Sequence, residues 1–161
     1  MVMDIEIVNN GDATNIVDAY HVYCRRDVSN NDWPNLQQSF NQGFAELATI
    51  SGGVAINPAI PGVSPFDAPN FVEKFKIFKK ERLVLSPGQV ASFVVKDLRK
   101  RKIESTDSNE YTLLRGQKGI LFVFSAAVNA GTIPIAELDF SVNRSYHYYE
   151  IESAQEAGAQ Q

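Results

Sequence analysis

The stretch Phe71–Ile103, FVEKFKIFKKERLVLSPGQVASFVVKDLRKRKI, constrains the fold of this chain more than any other. It reads as one long β-hairpin reversing at Ser86-Pro87-Gly88-Gln89. Pro87 presets φ at the second turn position and Gly88 supplies the positive φ of the third, the chemistry of a type II turn. In the incoming arm Phe71, Phe75, Ile77, Leu83 and Leu85 share one parity; Val72, Lys74, Lys76, Phe78, Lys80 and Arg82 share the other. In the outgoing arm Ala91, Phe93 and Val95 alternate with Ser92, Val94 and Lys96. Alternation of period two over both arms predicts a sheet with one buried face. Lys79 and Glu81 fall on the apolar parity, so a bulge or bend is expected there.

The same stretch concentrates the positive charge. Between Lys74 and Lys102 stand ten Lys or Arg and two acids, Glu81 and Asp97; the rest of the chain holds five basic and seventeen acidic residues. A net charge of −4 therefore conceals a strong segregation. A basic ribbon on an acidic body meets a polyanion or the acidic flank of a neighbouring copy; the plainer reading is a solvated strand face.

At 161 residues the chain fits one domain with a real core, here 1–153, followed by a flexible tail at 154–161. Ten Phe and six Tyr beside two Met lean toward strands, and 44% hydrophobic content excludes a disordered chain. The apolar run near Gly119–Ala130 is too short and interrupted to span a bilayer, so no membrane partner is expected. Asp4 and Glu6 stand where a signal peptide needs an apolar segment. A single cysteine, Cys24, excludes an internal disulfide and fits a reducing compartment. The Asn143-Arg144-Ser145 sequon reads as chance in a chain without an export signal.

In chain order, Met3, Ile5 and Ile7 alternate in a first strand ended by Asn9-Asn10-Gly11-Asp12. Ile16–Arg25 is apolar or aromatic on both faces, the pattern of a central strand covered on both sides. A helix follows, capped by Asp32, with Pro34 in its first turn, Leu36, Phe40, Phe44 and Leu47 on one face, and Gly52-Gly53 as its stop. Residues 51–70 form a long ordered loop rich in Gly and Pro. Beyond the hairpin, Tyr111–Leu114 is a short strand and Arg115–Gly119 a turn. Ile120, Phe122 and Phe124 belong to a fully buried strand, and Leu138, Phe140 and Val142 alternate in a last one that continues to Ile151. About seven strands, one helix and long loops describe an all-β sandwich, and the single jelly roll is the commonest such solution with connections of this length.

Catalytic chemistry is sparse. His21 and His147 lie in separate strands without ligands at metal spacing, and His21 and Cys24 have opposite parity, so no metal or cofactor is expected. No Gly-x-Ser-x-Gly, phosphate-cradling glycine loop or zinc-protease motif occurs. Pairs such as Asp4/Glu6 and Asp139/Asp107 read as surface acids, and Cys24 in an apolar strand as an inert thiol. The chain is not expected to be an enzyme.

Phe75-Lys76-Ile77 with Lys79-Lys80, then Leu85-Ser86-Pro87-Gly88-Gln89 and the basic Leu98–Ile103, resembles the hairpin of capsid proteins from circular Rep-encoding single-stranded DNA (CRESS DNA) viruses. Tyr23-Cys24-Arg25-Arg26-Asp27, Pro65-Phe66 ahead of Phe71, Gly119-Ile120-Leu121-Phe122 and Tyr146–Tyr149 follow in the family's order, so the similarity spans roughly Ile5–Ile151. The resemblance implies a viral jelly roll, on the order of sixty copies closing the smallest icosahedral shell around a single-stranded DNA genome, and a place in the virion after assembly in host cytoplasm or nucleus. Family members begin with an arginine-rich arm and a first strand, and this sequence shows neither. Either the sequence is partial, or a partner supplies what is missing.

Under that reading Lys74, Lys76, Lys80 and Arg82, on one strand face, and the run Arg99, Lys100, Arg101 and Lys102 line the shell interior and neutralise phosphates, or pair with acids of an adjoining subunit. Trp33, Ile56, Ile60, Val63, Phe66, Tyr146 and Tyr148 are the candidates for contacts between subunits. Competing readings are a jelly-roll binding module of lectin or receptor-ligand type, the capsid protein of a small single-stranded RNA virus, and an enzyme on a cupin-like barrel. The last predicts a histidine cluster that the sequence lacks.

Overall fold

A computed structural model describes residues 1–29, 35–50, 63–99, 111–126 and 137–147. The described residues are mostly β, with two antiparallel three-stranded sheets and two α-helices among them. The first sheet has β1 (Val2–Asn9) between β5 (Val90–Lys96) and β8 (Leu138–Ser145); the second has β2 (Asn15–Cys24) between β4 (Phe75–Leu85) and β7 (Lys118–Ala126). A small ladder pairs β3 (Val28–Ser29) with β6 (Tyr111–Leu113).

The two sheets face each other across a core of Met3, Ile5, Ile7, Val17, Ala19, Leu85, Ala91, Phe93 and Val95. Phe93 and Phe122 meet edge-on across it at 5.1 Å. A second core lies on the opposite face of the β2 sheet. There Tyr20, Val22, Cys24, Phe75 and Leu121 pack beneath helix α1 (Leu36–Ile50) and the short helix α2 (Pro69–Lys74). With cores on both its faces β2 is the covered central strand that its sequence predicts.

Helix α1 starts one residue after Asn35, whose side chain accepts the Gln38 N–H at 2.8 Å. Asn35 is thus the cap, where the sequence pointed to Asp32; Asp32, Pro34 and the Gly52-Gly53 stop lie outside the described residues. Phe40 and Phe44 turn inward, with ring centroids 4.9 Å apart. Gly43 lets α1 approach the start of α2 closely, since a Cβ there would stand 2.8 Å from that of Ala68, the residue before α2.

Three expectations need correction. The hairpin does not exist as a ladder: its turn is present, but β4 pairs with β2 and β5 with β1. Gly88 takes the positive φ of 76° its position requires, and the Gln89 side chain accepts the Ser86 N–H at 2.8 Å. The end of β1 then captures the tip, through Gly88 N–H to Asn9 O at 2.8 Å and Asn9 N–H to Gln89 O at 3.0 Å. Turn chemistry is local whereas strand pairing is not, so a correct turn joins two sheets instead of one. Second, residues 71–74 are helical; Pro69 starts the turn and Phe71 packs its ring 4.9 Å from that of Phe75. Third, β7 is not a fully buried strand: among the described residues it is an outer strand, and Ile120, Phe122 and Phe124 are half-buried.

The bulge is present. Across β2, His21 faces Lys79 and Val22 faces Ile77, so Phe78 is the extra residue. It inverts which face the odd-numbered residues of β4 take. Before it Phe75 and Ile77 point to the helix-side core; after it Leu83 and Leu85 point between the sheets. One apolar parity in the sequence thus serves two cores.

Candidate functional site: a divided basic ribbon and an open outer strand

The bulge also divides the lysines and arginines. Lys80 and Arg82 face Tyr20 and Asp18 on the helix side, whereas Lys76 faces Tyr23 on the other. They do not share one strand face, as the sequence parity implied. Lys74 belongs to α2 and is buried, so it offers no surface to a polyanion.

Beyond the bulge the cations are neutralised within the chain. Arg82 donates from Nε to Asp18 Oδ1 and from Nη2 to Oδ2, both at 2.7 Å, and Lys80 Nζ stands 3.3 Å from the same carboxylate. The Arg82 guanidinium holds the largely buried Asp18 carboxyl below its ordinary value of 3.8 against the opposing effect of burial, with Lys80 adding to the same direction. Lys79 Nζ meets Glu81 at 2.8 Å, and His21 Nε2 shares that carboxylate oxygen at 2.7 Å. Lys79 first and His21 second hold Glu81 below the usual carboxylate range.

Before the bulge the arrangement is the reverse. Tyr23, Cys24, Arg25, Lys76, Arg99, Arg115 and Gly116 line an open cleft of about 600 Å³. Lys76 Nζ stands 5.9 Å from the Tyr23 ring centroid. Among the described residues no carboxylate lies within ion-pair distance of the Arg25, Lys76, Arg99 or Arg115 side chains. Buried Asp97 sits behind the cleft: it accepts the Arg99 N–H at 3.4 Å on one oxygen and the Lys118 N–H at 3.3 Å on the other. The cleft brings two predicted residues, Lys76 and Arg99, together with Tyr23, Arg25 and Arg115. Those three stand at a strand end and in a turn, and only the fold unites them. Lys100, Arg101 and Lys102 lie outside the described residues.

The second feature is β8. Its even-numbered residues face the inter-sheet core through their β1 partners, Phe140 opposite Ile7 and Val142 opposite Ile5. Phe140 packs on Phe124 at 5.2 Å, yet it is 46% exposed and Val142 47%. Among the described residues nothing pairs with the outer edge of β8. Neither residue stood among the interface candidates, because alternation reads alike in covered and uncovered strands. Of those candidates, Phe66 and Tyr146 are exposed, while Val63 packs against the helix-side core and so covers its own chain. Trp33, Ile56, Ile60 and Tyr148 lie outside the described residues.

Comparison with protein-family models, with curated proteins and with solved structures finds no match to this chain.

Proposed function

We propose that this chain is a structural subunit of a small viral shell, a capsid protein of jelly-roll type whose task is to assemble around a single-stranded DNA genome. The observation that carries the reading is the sheet order, β5-β1-β8 over β4-β2-β7. Each of the successive pairs β1/β2, β4/β5 and β7/β8 places one strand in each sheet, in equivalent positions. Such alternation matches the wrapping of a jelly roll, which supports reading the six strands as six of its eight. The two remaining places lie beside β8 and β7, where half-exposed Phe140 and Val142 supply apolar contact for whatever extended segments occupy them.

Sequence resemblance adds the viral identity, since a jelly roll alone hosts many tasks. No feature of the described residues favours the lectin-like or RNA-virus readings over this one. Among those residues no three His, Cys, Asp or Glu side chains gather as a metal site would need.

Light scattering and electron microscopy of the purified chain test the proposal. Closed particles of uniform diameter are expected. A species that stays monomeric or trimeric up to its solubility limit overturns it.

A further inference from the structure

The cleft before the bulge is built from four separate segments, each fixed by the backbone. Arg25 is held by its N–H to Lys74 O at 2.8 Å and its Nε to Phe75 O at 3.3 Å. Arg115 sits in a turn closed by Gln117 N–H to Leu114 O at 2.9 Å, and its own N–H reaches Asp27 Oδ1 at 2.7 Å. Gly116, with φ 75°, docks this turn on the end of β2 through its N–H to Cys24 O at 2.7 Å. Arg99 follows the Asp97 latch, and Lys76 opens β4.

The chain therefore holds Lys79, Lys80 and Arg82 against its own carboxylates and leaves Arg25, Lys76, Arg99 and Arg115 lining one opening. Like charges gathered on one opening, with no carboxylate among the described residues at ion-pair distance from their side chains, repel, and an anion in the opening relieves that repulsion. Guanidinium groups match the oxygens of a phosphate with paired donors. Tyr23 adds a flat ring in the same wall, the complement of a base next to that phosphate.

We infer that this cleft binds a phosphate of single-stranded nucleic acid, with the neighbouring base against Tyr23. The inference deepens the shell proposal by placing the genome's contact, and rests on it for the identity of the nucleic acid. Binding is nevertheless a property of the single chain, so it is measured on the dissociated subunit.

The experiment is fluorescence anisotropy of a labelled oligothymidylate titrated with that subunit. Competition by inorganic phosphate and by a heparin oligosaccharide forms separate arms. Arg115→Glu is expected to weaken oligothymidylate about tenfold or more, and Arg99→Ala to flatten the dependence of log affinity on log salt by about 0.7. Tyr23→Leu is expected to weaken oligothymidylate at least fivefold, by the loss of about 1 kcal/mol or more of stacking, and to leave inorganic phosphate unchanged. Arg82→Gln, which alters a cation already bound to Asp18, is expected to leave affinity within about twofold. Because Arg25, Lys76, Arg99 and Arg115 are exposed, circular dichroism of their variants should match the parent.

Unchanged affinity in folded Arg115→Glu overturns the inference, as does an equal loss in Arg82→Gln. Heparin binding as tight as oligothymidylate, with Tyr23→Leu silent, overturns the nucleic-acid assignment. Particles without cleft binding would sink this inference and leave the shell reading standing; cleft binding without particles would do the reverse.

Discussion

Strands β5 and β8 flank β1 in the same sheet and meet opposite fates. Ile5 pairs with Phe93 on one side and Val142 on the other; Ile7 pairs with Ala91 and Phe140. Phe93 is 6% exposed and Phe140 46%, although both rings stand near Phe122, at 5.1 and 6.0 Å. The residue types do not explain the difference. Ala91, Phe93 and Val95 alternate with Ser92, Val94 and Lys96 much as Leu138, Phe140 and Val142 alternate with Asp139, Ser141 and Asn143. What differs is the layer above. The far end of β5 is latched to the start of β7 by Asp97 and by Lys118 Nζ donating to Lys96 O at 3.1 Å. The turn end of β5 is tied to β1 by Asn9. Beside β8 the described residues supply no such closure, and an apolar strand left in that state is suited to pairing with something else.

The sharpest way to break the comparison is to empty matched positions. Phe93→Ala removes a ring from a closed core and should cost about 3–5 kcal/mol of unfolding free energy. Phe140→Ala should cost about 1 kcal/mol in the dissociated chain, since about half the ring is already in water. Its effect should appear instead as loss of assembled particles. Equal destabilisation of the two variants in urea titrations would show that β8 is as covered as β5.

Asn9 comes next. Fully buried, it donates from Nδ2 to Leu85 O at 2.8 Å and Ala13 O at 2.9 Å, and accepts from Gly11 N–H and Asn15 Nδ2 on Oδ1. Asn9→Ala should therefore destabilise by about 2–4 kcal/mol through unsatisfied buried groups, and should loosen the β4–β5 turn. Unchanged hydrogen exchange at residues 86–90 would show that the Asn9 side chain, as distinct from its backbone N–H and C=O, adds nothing to the hold on the turn.

A smaller expected effect concerns acid. The Asp18 carboxyl is depressed by Arg82, so the stability it contributes is complete above its unfolded value near 3.8. That contribution is lost as pH falls through the lower folded value. Chemical denaturation compared between neutral pH and about pH 3 should show a fall that Arg82→Gln reduces. An unchanged difference between the two pH values would mean that the ion pair adds nothing to folding. Assembly through β8 is expected to be indifferent to this substitution, because Arg82 lies in the other sheet.

How far the sequence could be read follows from the range of each interaction. The turn at Ser86–Gln89, the central strand β2 and the bulge beside Lys79 rest on neighbours along the chain, and each is where the residues placed it. The parting of β4 and β5 into two sheets rests on pairing with β2 and β1 and on the capture of the turn by Asn9, some eighty residues away, and alternation carries no record of partner choice. Lys74 was readable in principle, since Pro69 at a helix start and the Phe71/Phe75 pair at helical spacing mark a turn of helix. The cleft was only half readable: Lys76 and Arg99 belong to an evident basic run, whereas Arg25 and Arg115 are isolated arginines whose meeting depends on the dock of Gly116 against Cys24. Nothing in the sequence separates Arg82, paired with Asp18, from Lys76, which has no ion pair among the described residues, because the one-residue insertion at Phe78 decides it.

The most direct test of the central claim, that β8 is a surface completed by association, is amide hydrogen exchange across residues 138–145 in dissociated and assembled material. The account predicts rapid exchange at the β8 amides not bonded to β1 in the free chain, slowed by about tenfold or more on assembly. Protection already complete in the free chain, or exchange identical in the two states, would contradict it.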